Sequence, residues 1–156
     1  MNEMLVHVRT IELSKSSNKP IYSVWGTICV QIGDVFFPDE DWDDVLSSVL
    51  DMWLSAICDF IELSKQECIL DFMDGPYRIV LHRKSGKVEA VFENDLHFNR
   101  CVFPEIDVSI FAKSLYVAAN DMINACKENI VQFTSRNTCN NICKGMKRLK
   151  RLLDDA

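Results

Sequence analysis

The chain has 156 residues, of which 17 are Lys or Arg and 23 are Asp or Glu, so its formal net charge is −6. This length predicts a single domain, residues 1–156, that is long enough to bury a sizeable core. The acidic balance argues against a broad nucleic-acid-binding surface and against binding to anionic membranes. With only 5 Gly and 4 Pro, low-complexity linkers are excluded.

The seven cysteines are an odd number and fall mostly within apolar periodic segments. A thiol in such a segment behaves as a small apolar side chain, and free thiols are typical of a reducing compartment. The start of the chain shows no basic region followed by a long apolar stretch, and no run of 18 apolar residues occurs anywhere. We therefore expect a cytoplasmic protein with reduced, mainly buried cysteines.

Alternating apolar residues predict two strands in the first part of the chain, at 4–13 and 21–32, with a polar loop between them. Val24, Ile28 and Val30 share one face of the second strand, and Gly26 in the same row indicates a bend. Pro38 ends this strand. Apolar residues then recur with a 3.6-residue period over 42–61, which predicts a helix of about five turns.

Three further alternating segments, at 67–72, 77–82 and 87–93, are separated by short turns that contain Gly75 and Gly86. Such spacing predicts an antiparallel meander, and a shorter strand is expected at 96–103. Asp107 is a candidate N-cap for a second long helix, which ends near 126. A loop at 129–137 and a last helix over about 138–153 complete the prediction.

This order of elements is typical of an α+β fold. We expect a mainly antiparallel sheet of five or six strands, with two long helices and a C-terminal helix packed against it. The connection from the second strand through the first long helix to the third strand leaves room for one parallel pair.

The stretch from Asp34 to Asp44 contains six acidic residues and no basic residue, and it leads directly into the first predicted helix. Asp39 is a candidate N-cap, and the helix dipole favours acids in the first turn. Each such acid contributes only about 0.3–1 kcal/mol, so the cluster is larger than a dipole requires. Three interpretations remain open: a solvated helix start, a divalent-metal site, and a surface for a cationic protein partner. The last interpretation predicts the partner-binding residues Asp39, Glu40, Asp41, Asp43, Asp44 and Asp51.

Other residues with chemical potential lack the spacing that a catalytic or metal site requires. His7, His82 and His97 stand far apart, and Cys139 with Cys143 lacks a second ligand pair for zinc. Basic residues on the last helix are typical of a solvated helix end, and contacts with phosphate, RNA or the acidic face are the alternatives; they are Lys144, Lys147, Arg148, Lys150 and Arg151. Common nucleotide-binding and hydrolase motifs are absent. We predict no catalytic residue, no metal ligand and no cofactor.

In overall character the chain resembles the small cytosolic immunity proteins of bacterial contact-dependent inhibition and other polymorphic toxin systems. The shared features are a single acidic α+β domain without catalytic motifs, a Trp-containing helix behind FFPDEDWDD, and a DFMDGPYRI hairpin. The resemblance implies that the protein binds one cognate toxin domain, usually a basic nuclease, and blocks its active site or another essential surface. The alternatives are a non-catalytic adaptor or regulatory protein and an enzyme with a carboxylate-bound metal. The oligomeric state is left open.

Overall fold

The computed structural model describes residues 1–15, 22–94, 99–127 and 136–156 and has an α+β fold. The described elements form two antiparallel sheets of four strands each, and three helices. In chain order they are β1 (Met4–Lys15), β2 (Tyr22–Ile32), β3 (Val35–Phe37), β4 (Asp43–Val45), α1 (Leu46–Glu62), β5 (Glu67–Asp71), β6 (Tyr77–Lys84), β7 (Lys87–Asn94), β8 (Asn99–Phe103), α2 (Val108–Cys126) and α3 (Arg136–Asp154).

The first sheet is built around β2, which pairs with β1 on one side and with both β3 and β4 on the other. A register shift interrupts β1 between Arg9 and Glu12, opposite Gly26 of β2. A Cβ atom at Gly26 would lie 2.7 Å from Leu46 Cδ1 and 2.9 Å from the Arg9 carbonyl oxygen. Only glycine fits there, so the predicted irregularity at Gly26 lies where α1 begins against the sheet.

The second sheet is the meander β5-β6-β7-β8, with antiparallel pairing throughout. Its three hairpin strands agree with the predicted segments, and β8 covers the described part of the strand predicted at 96–103. Cys68 and Leu70 of β5, and Phe72 just after it, turn inward, whereas Glu67 and Ile69 are exposed. Strict alternation of this kind is typical of a sheet with one face on the core.

Both sheets contribute to one apolar core, in which Trp53, Phe60 and Phe111 are among the largest fully buried side chains. α2 begins at the predicted N-cap, where the Asp107 carboxylate accepts a hydrogen bond from the Ile110 backbone N–H at 3.1 Å. α2 packs along β1, and α3 packs against α1. None of the helices within the described residues combines the length and the apolar character that a membrane crossing requires.

Two details differ from the sequence-based expectation. The single sheet of five or six strands is wrong: β1 and β2 do not pair with the meander but form a separate sheet, which the three-residue strands β3 and β4 complete. The helix start near Asp39 is also wrong: α1 begins at Leu46, Val45 occupies the N-cap, and its first turn contains no acid. Asp43 and Asp44 pair with β2 in extended conformation, which prevents the helix from starting earlier. The predicted loop at 129–137 lies largely outside the described residues.

Candidate functional site

Asp44 is the centre of the polar structure that precedes α1. It lies in β4 and is fully buried, with 0% of its surface exposed. Its carboxylate accepts hydrogen bonds from the backbone N–H groups of Val45 at 2.7 Å, Met73 at 3.1 Å and Asp74 at 3.2 Å, and from Trp42 Nε1 at 3.2 Å. A buried carboxylate requires such donors, and here they join the first sheet to the turn after β5.

The segment from Pro38 to Asp43 is held against β2 by backbone and side-chain hydrogen bonds. The Ile28 N–H donates to the Trp42 carbonyl at 2.9 Å, and the Thr27 hydroxyl donates to Asp43 Oδ1 at 3.1 Å. Asp39 Oδ1 accepts from the Asp41 N–H at 2.9 Å, a short-range turn of the kind that aspartate favours. These contacts fix the backbone while Asp39, Asp41 and Asp43 remain exposed.

The turn after β5 supplies the opposite wall. The Tyr77 and Trp42 rings meet edge to face, with centroids 4.9 Å apart. Gly75 has φ +72°, and a Cβ atom there would lie 2.9 Å from the Tyr77 ring and 3.2 Å from the Trp42 ring. Glycine is therefore required at this position both by the backbone conformation and by the close approach of the two rings.

Together these segments form one open depression of about 540 Å³, which we call the acidic depression. Four of its residues are carboxylic acids and two are aromatic. Its lining residues are Pro38, Asp39, Asp41, Trp42, Asp43, Asp74 and Tyr77. It combines negative charge with flat apolar surface, which suits the guanidinium group of arginine.

One basic residue lies beside the acidic depression. Arg9 donates through Nη2 to the Glu40 backbone carbonyl and lies 3.5 Å from Asp41 Oδ1. Among the described residues, this is the only ion pair made by the four carboxylates of the depression. An exposed pair of this kind contributes little energy, and Asp39, Asp43 and Asp74 pair with no cation of the described residues.

The field of these acids extends to the thiol of Cys29 on β2. Burial raises the pKa of Cys29, Arg9 opposes that rise, and the charges of Glu40, Asp39 and Asp41 add to it. Burial is the largest of these causes, and the acids contribute from the surface above a fully buried thiol.

The six residues expected to bind a partner are thus placed in three different environments. Asp39, Asp41 and Asp43 line the acidic depression, and Glu40 is exposed next to it. Asp44 is buried, so its carboxylate is not available at the surface and its observed role is to hold the 73–74 turn. Asp51 lies apart, half-buried on α1.

Asp74 and Tyr77 are the site residues that the acidic stretch alone did not indicate. The sequence identified Asp74-Gly75-Pro76 as a turn whose exposed acids could add to a negative face, and the structure brings Asp74 into the depression. Asp71, in contrast, pairs with Arg78 at 3.0 Å. No local pattern pairs Tyr77 with Trp42, because their contact depends on how the two sheets are docked.

The basic residues of α3 meet a different set of acids. Arg148 Nη2 lies 2.8 Å from Asp59 Oδ1 and 2.6 Å from Glu62 Oε2, and Arg151 lies 3.2 Å from Glu62 Oε1. The hydrogen bond from Arg148 lowers the pKa of Asp59. The basic residues of α3 therefore pair with acids at the end of α1, and not with the acidic face that was predicted as one alternative.

The remaining metal and nucleophile candidates stay separate. His7 contacts Gln31 at 2.7 Å and His82 lies 3.4 Å from Glu67, whereas His97 lies outside the described residues. All seven cysteines are free thiols. In the described ranges, no three His, Cys, Asp or Glu side chains are arranged to hold a metal ion. Compared with known proteins, the chain matches no protein-family model, no curated protein and no solved structure.

Proposed function

We propose that this protein is a non-catalytic immunity protein that binds and neutralises a cognate toxin domain, with the acidic depression as the contact surface. The observation that carries the proposal is the convergence of Asp39, Asp41, Asp43 and Asp74, from two separate segments, around the Trp42 and Tyr77 rings. Three of these carboxylates pair with no cation of the described residues, and grouping like charges on a fixed backbone costs energy because they repel.

The chemistry of the depression fits a basic protein surface. A nuclease toxin carries lysines and arginines that bind phosphate, and a group of carboxylates competes for the same cations. Trp42 and Tyr77 add flat apolar surface on which a guanidinium group stacks while it pairs with a neighbouring aspartate. The hydrogen bonds that Asp44 accepts from the Met73 N–H and that Asp43 accepts from the Thr27 hydroxyl hold these segments in place, so that little ordering entropy is lost on binding.

Electrostatic steering gives such an inhibitor a kinetic advantage. Complementary charge raises association rates by about 10- to 1,000-fold at low ionic strength, and screening removes that gain over about 10 Å at 0.1 M salt. The net charge of −6 acts in the same direction as the local cluster. We therefore expect association to be fast and strongly dependent on salt. Action on a toxin inside the producing cell requires a cytoplasmic location.

Where the neighbouring reading frame encodes a large exported protein, the test uses its C-terminal domain as the binding partner. Calorimetric titrations at low and high salt compare the natural protein with the double variant Asp39→Lys/Asp74→Lys. The matched control is Glu3→Lys/Asp121→Lys, which makes the same change in net charge at exposed positions outside the depression. The proposal expects the first variant to lose at least about tenfold in affinity, equivalent to about 1.4 kcal/mol, and to show a shallower salt dependence.

Equal losses in both variants would mean that net charge alone drives binding, and the depression would then not be the contact surface. The alternative function, a non-catalytic adaptor, predicts affinity that holds steady or rises with salt, because apolar contact then dominates. Binding that is unaffected by salt and by Asp39→Lys/Asp74→Lys would favour that alternative over the immunity protein.

A further inference from the structure

In the described part of the chain, the edge of the second sheet at β5 is open. β5 pairs with β6 on one side, and within residues 1–15, 22–94, 99–127 and 136–156 no strand pairs with its other side. The outer edge of β1, in contrast, is covered by α2. The Ser114 hydroxyl of α2 accepts from the Val6 N–H at 2.6 Å and donates to the Val6 carbonyl at 3.2 Å. An open edge presents unpaired N–H and C=O groups to any extended chain that reaches it.

The hydrogen-bond pattern shows which residues face this edge. The Phe72 N–H donates to the Tyr77 backbone carbonyl, and the Arg83 N–H donates to the Gln66 backbone carbonyl. In an antiparallel ladder the bonded residues alternate, so Cys68 and Leu70 also bond to β6, and residues 67, 69 and 71 direct their backbone groups outward. The Asp71 carbonyl confirms this direction, since Trp53 Nε1 donates to it at 2.7 Å from α1. The backbone N–H and C=O groups of Glu67 and Ile69 also point outward from the edge.

A groove of about 580 Å³ runs between this edge and the exposed side of α1. Its floor is apolar, with Met52 and Ala56 from α1 and Ile69 from β5. Three of its lining residues are acidic and one is basic. The complete lining is Asp51, Met52, Ser55, Ala56, Asp59, Lys65, Glu67, Cys68 and Ile69. A groove between a strand edge and a helix is the geometry in which extended peptides add to a sheet.

We infer that this groove binds an extended basic segment of a protein partner, which adds to the sheet as a new strand beside β5. The inference concerns a surface other than the acidic depression and does not depend on the partner being a toxin. β5 has five residues, so it pairs with a segment of about five residues, about 17 Å long.

The charges of the groove identify the chemistry of the segment. Asp59 already pairs with Lys65 and Arg148, and Glu67 pairs with His82. Asp51 makes no ion pair within the described part of the chain, although burial raises its pKa and thus disfavours its charged form. A lysine of the added strand that points toward α1 would lay its methylenes on Met52 and bring its ammonium group to Asp51.

The outer face of the sheet indicates which residue belongs at the centre of the added strand. Strand register aligns a row of apolar side chains across all four strands: Ile69, Val80, Val91 and Val102. Val80 and Val91, which have neighbours on both sides, are 5% and 1% exposed, whereas Ile69 at the open end is 43% exposed. A β-branched residue opposite Ile69 would continue this row and cover it, as Val91 covers Val80.

The probe is therefore the fluorescein-labelled pentapeptide Lys-Lys-Val-Lys-Lys, and its matched control is the same peptide with an N-methyl group on the valine. Both peptides carry the same charge, but the methylated one cannot donate a hydrogen bond to the Ile69 carbonyl. We expect the first to bind with a Kd of about 1 mM or tighter, measured by fluorescence anisotropy, and the control to bind at least about tenfold more weakly. Amide hydrogen exchange at Glu67 and Ile69 should slow on binding.

Two variants of the protein complete the test. Ile69→Pro removes the outward N–H without removing a bond to β6, a position where an edge strand tolerates proline, and it should weaken binding of the unmethylated peptide because the bond to the valine carbonyl is lost. Asp51→Lys leaves the backbone unchanged and should weaken the lysine peptide while sparing the fold. Equal binding of the two peptides, or exchange at Glu67 and Ile69 that does not change, would overturn the inference. A dimer of the protein that disappears in Ile69→Pro would also overturn it, because a second copy would then occupy the edge.

Discussion

Asp44→Asn should destabilise the protein strongly although the side chain keeps its shape. The carboxylate accepts from Trp42 Nε1 and from the backbone N–H groups of Val45, Met73 and Asp74. An amide replaces one of the two accepting oxygens by a donor, so one or two of these buried N–H groups lose their acceptor. Each unsatisfied donor costs about 1–3 kcal/mol, which gives a total loss of about 1–6 kcal/mol. At about 2–4 °C per kcal/mol for a chain of this size, Tm falls by about 2–24 °C.

Urea unfolding followed by circular dichroism measures this loss, and an unchanged m-value would show that both proteins unfold from equally compact states. Asp41→Asn is the matched control, because its carboxylate is exposed and lies 3.5 Å from Arg9. The control should change the free energy of unfolding by less than about 0.5 kcal/mol. If Asp44→Asn behaves like the control, the carboxylate does not organise the 73–74 turn in the way described.

Other properties follow from the same structure. Iodoacetamide at pH 8 should modify exposed Cys101 first and spare Cys68, since burial raises the pKa of Cys68 to about 12, and peptide mass mapping reads the order. Gly26→Ala should lower the unfolding free energy by about 1–3 kcal/mol, because its Cβ would lie 2.9 Å from a backbone carbonyl of β1; urea unfolding tests this. The hydrogen bond from Arg148 lowers the pKa of Asp59, so the stability it provides is present above the ordinary value of 3.8 and is lost as pH falls through the lowered value. In Arg148→Gln the free energy of unfolding should therefore fall less steeply as the pH is lowered into the acid range. Equal falls in both proteins would contradict this assignment.

The parts of the fold that local patterns determine were predictable. The alternation in 67–72, 77–82 and 87–93 and the turns at Gly75 and Gly86 correspond to β5, β6 and β7. The N-cap at Asp107 holds α2, because the aspartate oxygen meets an N–H three residues ahead, which depends only on local geometry.

The start of α1 was not predictable from the same kind of pattern. The helical period extends back to Trp42, yet residues 43–45 pair with β2, and this tertiary pairing overrides the local preference. The short strands β3 and β4 have three residues each, which is too few for an alternation to appear. Without them, nothing in the sequence indicated that β1 and β2 belong to a sheet separate from the meander.

The negative charge of the candidate site was predictable, but the set of residues that line it was not. The density of acids between Asp34 and Asp44 identified the region, and Asp39, Asp41 and Asp43 are exposed there. Composition cannot distinguish a surface aspartate from a buried one, and Asp44 has the same neighbours in the sequence as the residues that line the depression. Its burial depends on the N–H groups of Met73 and Asp74, which lie about thirty positions away.

The hydrogen bonds by which Asp44 links the first sheet to the turn after β5 have a consequence for cooperativity. One wall of the acidic depression belongs to the segment before α1 and the other to the turn after β5, so the cavity exists only while the two sheets are docked. A ligand held between the walls would bind the native state and not a partly opened one, and its binding free energy would add to the resistance of the whole chain to unfolding. Ligand binding and folding are therefore coupled. Agents that separate the two sheets would weaken ligand binding without entering the cavity.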